Sequence, residues 1–177
     1  MNNSLTIRQE TGEDYIEVFE VNQLAFANDN EARLVDSLRN NTQVFVPELS
    51  IVASIHNKIV GHILLSKVRI KDNRENYHIS LSLAPMAVKP EFQKQGIGGQ
   101  LIRRGLEIAK HLKFKSVLVL GHEHYYPKFG FEPAEKWNIK TPFDVPSNLF
   151  MAIELEPDGL KGVSGVVIYP KEFDEIC

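Results

Sequence analysis

Cysteine is nearly absent from this chain of 177 residues, because its single copy, Cys177, is the last residue of the sequence. One cysteine cannot form an internal disulfide bond, and it cannot supply a cysteine cluster for a metal ion. His122 and His124 are the closest pair of histidines, and no third ligand of the usual kind lies near them in sequence. We therefore expect no bound metal.

A strong charge of one sign and long apolar runs are also missing. The net charge of −3 gives no strong field for nucleic acid or for an anionic membrane. No apolar stretch approaches the roughly 20 residues that a membrane-spanning helix needs. Residues 1–4 have neither the basic flank nor the apolar run of a secretory signal. These absences predict a cytoplasmic protein that binds neither nucleic acid nor membrane.

What the chain does contain is typical of a globular enzyme. Hydrophobic residues make up 43% and charged residues 24% of the sequence, close to the average of soluble domains. The length suits one domain, residues 1–177, with residues 156–177 as a C-terminal extension. The patterns predict one strand, two helices, three strands, a helix and further strands around a short helix, which indicates a mixed α/β (α+β) sheet.

The two predicted N-terminal helices differ in their patterns. In the first, which Thr11 can cap, the apolar positions include Ile16, Phe19 and Leu24. The second presents an apolar face around Leu34 and Leu38. Its acidic residues are interpreted as a solvated helix face, although they are also candidates for attracting a cationic amine; they are Asp29, Glu31 and Asp36.

Two features of the predicted strands concern pairing. Pro85 interrupts the extended run Ile79 to Val88, and a proline cannot donate a ladder hydrogen bond, so a bulge or strand separation is expected there. The run Val163 to Tyr169 ends at Pro170 and is predicted to be an edge strand. Such an edge can pair between subunits, so a homodimer is a possible assembly.

A glycine turn lies between a strand and a helix. Residues 93–99 read Gln-Lys-Gln-Gly-Ile-Gly-Gly, and an amphipathic helix follows from Gln100 to His111, in which Gly105 is expected to permit close approach to the sheet. Gly96 and Gly98 can adopt positive φ, and the first N–H groups of a helix have no internal partner. The turn therefore predicts a phosphate-binding site.

Two common phosphate loops do not fit this turn. A nucleoside-triphosphate loop needs a lysine and a hydroxyl residue after the second glycine, and neither is present. A dinucleotide loop needs a glycine or alanine three residues after Gly98, where the chain has Leu101.

The flanking residues resemble the GNAT superfamily of acyl-coenzyme A dependent N-acyltransferases. Met86-Ala87-Val88-Lys89-Pro90 followed by residues 93–99 matches the apolar-Ala-Val-x-Pro and Gln/Arg-x-x-Gly-x-Gly/Ala pattern of that family. Tyr126-Pro127-Lys128-Phe129-Gly130-Phe131 is similar to its Tyr-x-x-x-Gly-Phe element. The Tyr125-Tyr126 doublet and the tail from Gly162 to Val167 resemble a bacterial branch of predicted N-acetyltransferases.

This resemblance implies a fold, a cosubstrate and a set of roles. The fold is a mixed central sheet of about six to seven strands flanked by about four helices, and the cosubstrate is acetyl-coenzyme A. The pantetheine arm pairs with free backbone groups of the strand before the turn, which are Met86, Ala87 and Val88. The pyrophosphate lies on backbone N–H groups of Lys94, Gln95, Gly96, Ile97, Gly98 and Gly99. Arg103 or Arg104 is a candidate for a further phosphate.

For catalysis, the resemblance implies that Tyr126 is the general acid that protonates the leaving thiolate, with Tyr125 as the alternative. The general base stays open among five residues, namely Ser80, Ser82, His122, Glu123 and His124. A backbone N–H near Ala84 or Met86 is expected to polarise the acyl carbonyl.

The implied reaction is direct transfer of an acetyl group to a primary amine of a small molecule or a protein. The alternative is a non-catalytic acyl-coenzyme A sensor. The acceptor cleft is expected among residues 27–50, 71–77 and 133–147, whose mixed composition does not define the acceptor.

Overall fold

The computed structural model describes residues 4–175, in which one mixed sheet of nine strands is flanked by three α-helices. The helices are α1 (Tyr15–Phe26), α2 (Asn30–Arg39) and α3 (Ile97–His111). The strands are β1 (Thr6–Gln9), β2 (Ser50–Ile55), β3 (Lys58–Lys71), β4 (Tyr77–Val88), β5 (Ser116–Leu120), β6 (Glu132–Pro133), β7 (Ile139–Lys140), β8 (Phe150–Glu154) and β9 (Gly165–Ile168).

The predicted α/β fold class is confirmed, with different counts of elements. Strands β6 and β7 contain two residues each, too short to produce an alternating pattern in the sequence. The fourth helix is a single 3₁₀ turn, Tyr126–Phe129, because Pro127 opens it and Gly130, in the left-handed region at φ 98°, ends it.

The main path of the sheet runs β1-β2-β3-β4-β5-β8-β6. Strands β1 to β4 are antiparallel neighbours, whereas β4 and β5 are parallel and pair only at Leu81 with Val117 and at Ser82 with Leu118. Beyond Ser82 the remainder of β4 has no strand partner on its β5 side within residues 4–175. The predicted strand separation therefore exists, and it opens a gap in the middle of the sheet.

The predicted irregularity at Pro85 is a β-bulge. Ile63 pairs with Met86 and Leu65 pairs with Leu83, so Leu64 alone lies opposite Ala84 and Pro85. A bulge bends its strand and increases the local twist. Here it bends β4 at the point where β5 ceases to pair with it.

Helix α3 packs on one face of the sheet, where Leu101 and Ile102 are fully buried in a cluster with Ile63. The ideal Cβ position of Gly105 lies 3.0 Å from Cδ1 of Leu65. This contact explains the glycine in the middle of a helix, because a side chain there would have to displace the Leu65 side chain.

Helices α1 and α2 cover the opposite face. Val18 and Val21 form the buried stripe of α1, whereas Ile16 is 84% exposed and Leu24 is 43% exposed. Two of the apolar positions noted in the sequence, Ile16 and Leu24, are therefore not part of the core. The sequence of α1 allows two apolar faces, and the face that contains Val18 and Val21 packs against the sheet.

A buried polar network ties these helices to the sheet. The ring of His62 on β3 accepts a hydrogen bond from Asn22 of α1 (Nδ1 to Nδ2, 3.3 Å) and contacts Ser50 of β2 (Nε2 to Oγ, 2.9 Å). Arg39 of α2 donates to both carboxylate oxygens of Glu10, each at 2.9 Å. Burial lowers the pKa of His62 to about 4, and the opposing effect of Glu10 is smaller. His62 is therefore neutral at physiological pH.

The C-terminal segment is integrated into the domain. Strand β9 pairs with β3 on one side, and β7 pairs with its other side at Gly165 and Val166. The prediction of an edge strand was therefore wrong. The predicted homodimer was to pair through a free edge of this strand, and β7 occupies part of that edge. Strand β7 has only two residues, so its pairing with β9 leaves no pattern in the sequence.

Between residues 4 and 175, no helix is long and apolar enough to cross a membrane.

Candidate active site

A cleft of about 890 Å³ opens where β4 and β5 separate. Its walls are the second half of β4, the glycine turn, the segment after β5, the helices α1 and α2, and the C-terminal segment. Nine of the ten predicted site residues line it, namely Met86, Ala87, Val88, Lys94, Gly96, Ile97, Gly98, Gly99 and Tyr126. Gln95 does not line it, because its side chain turns outward and donates to the Glu91 carbonyl at 3.2 Å.

The β4 wall offers backbone groups to a ligand. Met86, Ala87 and Val88 pair with β3 on one side, and their other side faces the gap left by β5. An unpaired strand edge binds an extended ligand through its N–H and C=O groups. The wall is thus suited to a chain that carries amide groups.

The glycine turn ends in an open helix N-terminus. Gly96 lies in the left-handed region at φ 83°, and the first α-helical bond of α3 runs from the Gln100 N–H to the Gly96 carbonyl at 3.1 Å. The N–H groups of Ile97, Gly98 and Gly99 precede this first donor and therefore have no intrahelical acceptor. Together with the positive end of the helix dipole, they make the start of α3 suited to an anion.

Gly98 is required by close packing. A Cβ at this position would lie 3.1 Å from the hydroxyl oxygen of Tyr125 and 3.3 Å from the sulfur of Met86. The absence of a side chain lets the tyrosine hydroxyl and the β4 wall approach the helix start.

The two candidate arginines have different surroundings. Arg103 lies beside the turn, with its guanidinium carbon 5.0 Å from the centre of the Phe129 ring. Arg104 pairs with Glu107 at 3.1 Å on the exposed face of α3. Arg103 is therefore the better placed of the two to meet an anion at the turn.

Tyr126 lines the cleft beside the end of β5. Its ring packs tightly on Gly121 and meets the rings of Tyr125 and Phe131 edge-on, with centroids 5.2 Å and 5.6 Å away. The residue is 8% exposed, and burial, with a smaller contribution from Tyr125, raises the pKa of its hydroxyl to about 12. The hydroxyl is therefore a proton donor at any physiological pH.

Tyr125 has a different environment. It is half-buried, and burial raises the pKa of its hydroxyl, with Arg103 acting in the opposite direction. Its hydroxyl lies against Gly98 at the helix start. The two neighbouring tyrosines thus serve different parts of the cleft.

The five candidates for the general base separate into two groups. Ser82 and His122 line the cleft. The other three, Ser80, Glu123 and His124, do not: Ser80 is fully buried and bonds to the Ser116 hydroxyl at 2.7 Å, and Glu123 accepts a hydrogen bond from Asn148.

The cleft is also lined by two residues that the sequence interpretation missed, Tyr169 and Phe173, and by residues from the expected acceptor regions 27–50 and 133–147. Glu31 of α2 lines it, together with Phe143, Tyr169 and Phe173. A signal for Glu31 was present in the sequence, because it lies three residues before Leu34 and so continues the buried stripe of α2. Tyr169 and Phe173 gave none, because the fold of the tail was not predicted.

Residues 4–175 contain no group of three or more histidine, cysteine, aspartate or glutamate side chains that could hold a metal ion. The cleft lining includes the hydroxyl side chains of Ser82, Tyr125 and Tyr126, which can donate to anions and carbonyls.

Comparison with known proteins agrees with this geometry. A sequence model described as acetyltransferase (GNAT) domain matches residues 41–133. The chain is 40% identical over 134 residues to the uncharacterized N-acetyltransferase YjhQ of Escherichia coli K12, which covers 75% of this chain and 73% of that protein.

Two solved structures are also similar. The GNAT family N-acetyltransferase YhbS from Escherichia coli in complex with CoA has a TM-score of 0.91 at 26% identity, covering 100% of this chain and 96% of that one. A GNAT family acetyltransferase from Brucella melitensis in complex with acetyl-CoA has a TM-score of 0.79 at 30% identity, covering 98% and 100%. The family match spans more than half of the chain and includes the glycine turn and Tyr126. The chain belongs to the GNAT family of acetyltransferases.

Proposed function

We propose that this protein transfers an acetyl group from acetyl-CoA to a primary amine by direct attack, with Tyr126 as the proton donor. The observation that carries the proposal is the meeting of three features in one cleft: the open edge of β4, the open N-terminus of α3, and a buried, protonated tyrosine. Two similar structures hold CoA or acetyl-CoA, which supports the same cosubstrate here.

The residues present suit this cosubstrate. The unpaired edge at Met86, Ala87 and Val88 can hydrogen bond with the amides of a pantetheine arm. The N–H groups of the α3 N-terminus can hold a pyrophosphate, and Gly96 leaves that position open, since nothing lies within 4 Å of its ideal Cβ. Both features lie within residues 41–133, the segment matched by the family.

The chemistry follows from what each group can do. Acetyl-CoA supplies a thioester carbonyl activated for attack. The nitrogen lone pair of the amine forms the new C–N bond, the C–S bond breaks, and the nitrogen releases one proton to solvent. The Tyr126 hydroxyl donates a hydrogen bond to the departing sulfur, and the proton that completes the free thiol comes from solvent. Pro85 has no N–H, so Ala84 or Met86 must supply a backbone donor to the carbonyl oxygen.

The test combines purified protein and acetyl-CoA with a panel of small primary amines and a lysine-containing peptide. Release of free thiol and mass spectrometry of the acetylated amine should both report turnover for at least one acceptor. Binding of CoA without turnover for any acceptor would favour the sensor instead. Absence of CoA binding at millimolar concentration would contradict both functions.

A further inference from the structure

Glu31 carries a carboxylate that the rest of the protein leaves unsatisfied. It lies in the first turn of α2 and lines the cleft, and its Oε2 atom is buried without a hydrogen-bond partner among residues 4–175. A buried charged oxygen without a partner is costly, so such an atom in a cleft indicates a missing ligand group.

No cation of α2 neutralises Glu31. Arg33 pairs with Asp29 at 3.7 Å, and Arg39 pairs with Glu10 at 2.9 Å. Across the described residues, no ion pair with Glu31 forms. The negative charge of Glu31 is therefore available to a cation that enters the cleft.

Three aromatic rings line the same cleft as this carboxylate. The rings of Phe143 and Tyr169 have centroids 4.8 Å apart, and those of Tyr169 and Phe173 are 5.2 Å apart. All three residues line the same cleft as Glu31. A row of rings offers an apolar surface and attracts a cation through the ring faces.

These residues also lie outside the segment that the family model matches. Glu31 precedes residues 41–133, and Phe143, Tyr169 and Phe173 follow them. The matched segment therefore supplies the part of the cleft lining with β4, the glycine turn and Tyr126, and residues outside that segment supply Glu31 and the three rings.

We propose that Glu31 binds the ammonium group of the acceptor and that the row Phe143, Tyr169 and Phe173 receives its body, so that the acceptor is a monoamine with an apolar or aromatic body. This inference rests on the proposed function, because it assigns the acceptor end of the same cleft. A neutral alcohol of the same shape lacks the charge that Glu31 recognises, and a dication has no second carboxylate to meet in the cleft as lined by residues 4–175.

The test measures acceptor binding without turnover. Wild-type protein saturated with CoA, which carries no acetyl group, is titrated calorimetrically with 2-phenylethylamine, tyramine and n-hexylamine, and with the alcohol analogue of each. The amines should bind at least about 10-fold more tightly than their alcohols, because a hydrogen bond to a charged group contributes enough for that ratio.

The matched variants are Glu31→Gln and Glu107→Gln. Both remove one negative charge, but Glu107 is exposed on α3 and does not line the cleft. Glu31→Gln should weaken amine binding by about 10-fold or more and leave alcohol and CoA binding unchanged, whereas Glu107→Gln should match the wild type.

The remaining outcomes contradict either the role of Glu31 or the proposed acetyltransferase function. Equal weakening of amine and alcohol by Glu31→Gln would show a structural role at the start of α2 and overturn the proposal. Binding of CoA with no amine preference, or with no binding of any of the three amines, would also overturn it while leaving the acetyltransferase function intact. Failure to bind CoA would instead contradict the proposed function itself.

Discussion

Replacing Tyr126 with phenylalanine removes the proposed proton donor while keeping the ring that packs on Gly121 and Phe131. The pKa of about 12 lies well above that of a thiol, about 8.5, so complete proton transfer to sulfur is unfavourable. Tyr126 therefore acts mainly through a hydrogen bond to the developing thiolate. A hydrogen bond to a charged group contributes about 1.5–3 kcal/mol, which predicts a loss in kcat of about 10- to 100-fold.

The assay follows thiol release at saturating acceptor and separates kcat from KM for acetyl-CoA. Tyr125→Phe is the matched comparison, because the same hydroxyl is removed from the neighbouring ring. Its hydroxyl lies at Gly98, so this variant should raise KM for acetyl-CoA more than it lowers kcat. Circular dichroism and thermal unfolding verify that both variants fold.

Two results would refute this reasoning. Tyr126→Phe with the kcat of the wild type would remove the assigned role, and a larger loss of kcat in Tyr125→Phe would transfer it to the neighbour. The pH profile is a second check. With a pKa of about 12, Tyr126 keeps its proton, so kcat should not fall near pH 10 through this group, where an ordinary tyrosine ionises.

Three further predictions concern the turn, the core and the helix. Gly96→Leu should abolish CoA binding in calorimetry, since Gly96 has φ 83° and opens onto the cleft; affinity within twofold of the wild type would contradict the anion site. In the folded protein His62 stays neutral down to its pKa of about 4, whereas in the unfolded chain it gains a proton near pH 6.5. The free energy of unfolding, measured with urea, should therefore fall by about 3 kcal/mol as the pH falls from 6.5 to 4. His62→Gln should lack this loss, and an unchanged pH dependence in that variant would refute the assignment. Gly105→Val should destabilise the protein by about 1–3 kcal/mol through collision with Leu65, and an unaltered urea midpoint would disprove the tight contact.

Local patterns with a strong physical cause were predictable from the sequence. Pro85 cannot donate in a ladder, and the structure has a bulge there. Gly105 without a side chain predicted close packing of a helix on the sheet, and the contact with Leu65 confirms it. The glycine turn predicted an open helix start, which Gly96 provides.

Features that depend on distant partners were not predictable. The pattern of α1 allows more than one apolar stripe, and the choice of Val18 and Val21 over Ile16 and Leu24 depends on how the helix meets the sheet. The environment of His62 requires Asn22 and Ser50 from other elements, and no local sequence pattern marks such a network.

The acceptor end shows the same division between local and distant causes. Glu31 was interpreted as part of a solvated helix face, with attraction of a cationic amine as the alternative, although its spacing to Leu34 and Leu38 continues a buried stripe. Tyr169 and Phe173 reach the cleft only because β9 inserts between β3 and β7, a pairing set by the tertiary fold. The residues proposed to contact the cosubstrate carry motifs, whereas those proposed to contact the acceptor lie outside the matched segment.

The most direct measurement is a crystal structure of the protein with CoA. It should show the pyrophosphate on the N–H groups of Ile97, Gly98 and Gly99, the pantetheine arm along the open edge of β4, and the sulfur within hydrogen-bond distance of the Tyr126 hydroxyl. CoA bound at another surface, or a sulfur that points away from Tyr126, would contradict the account.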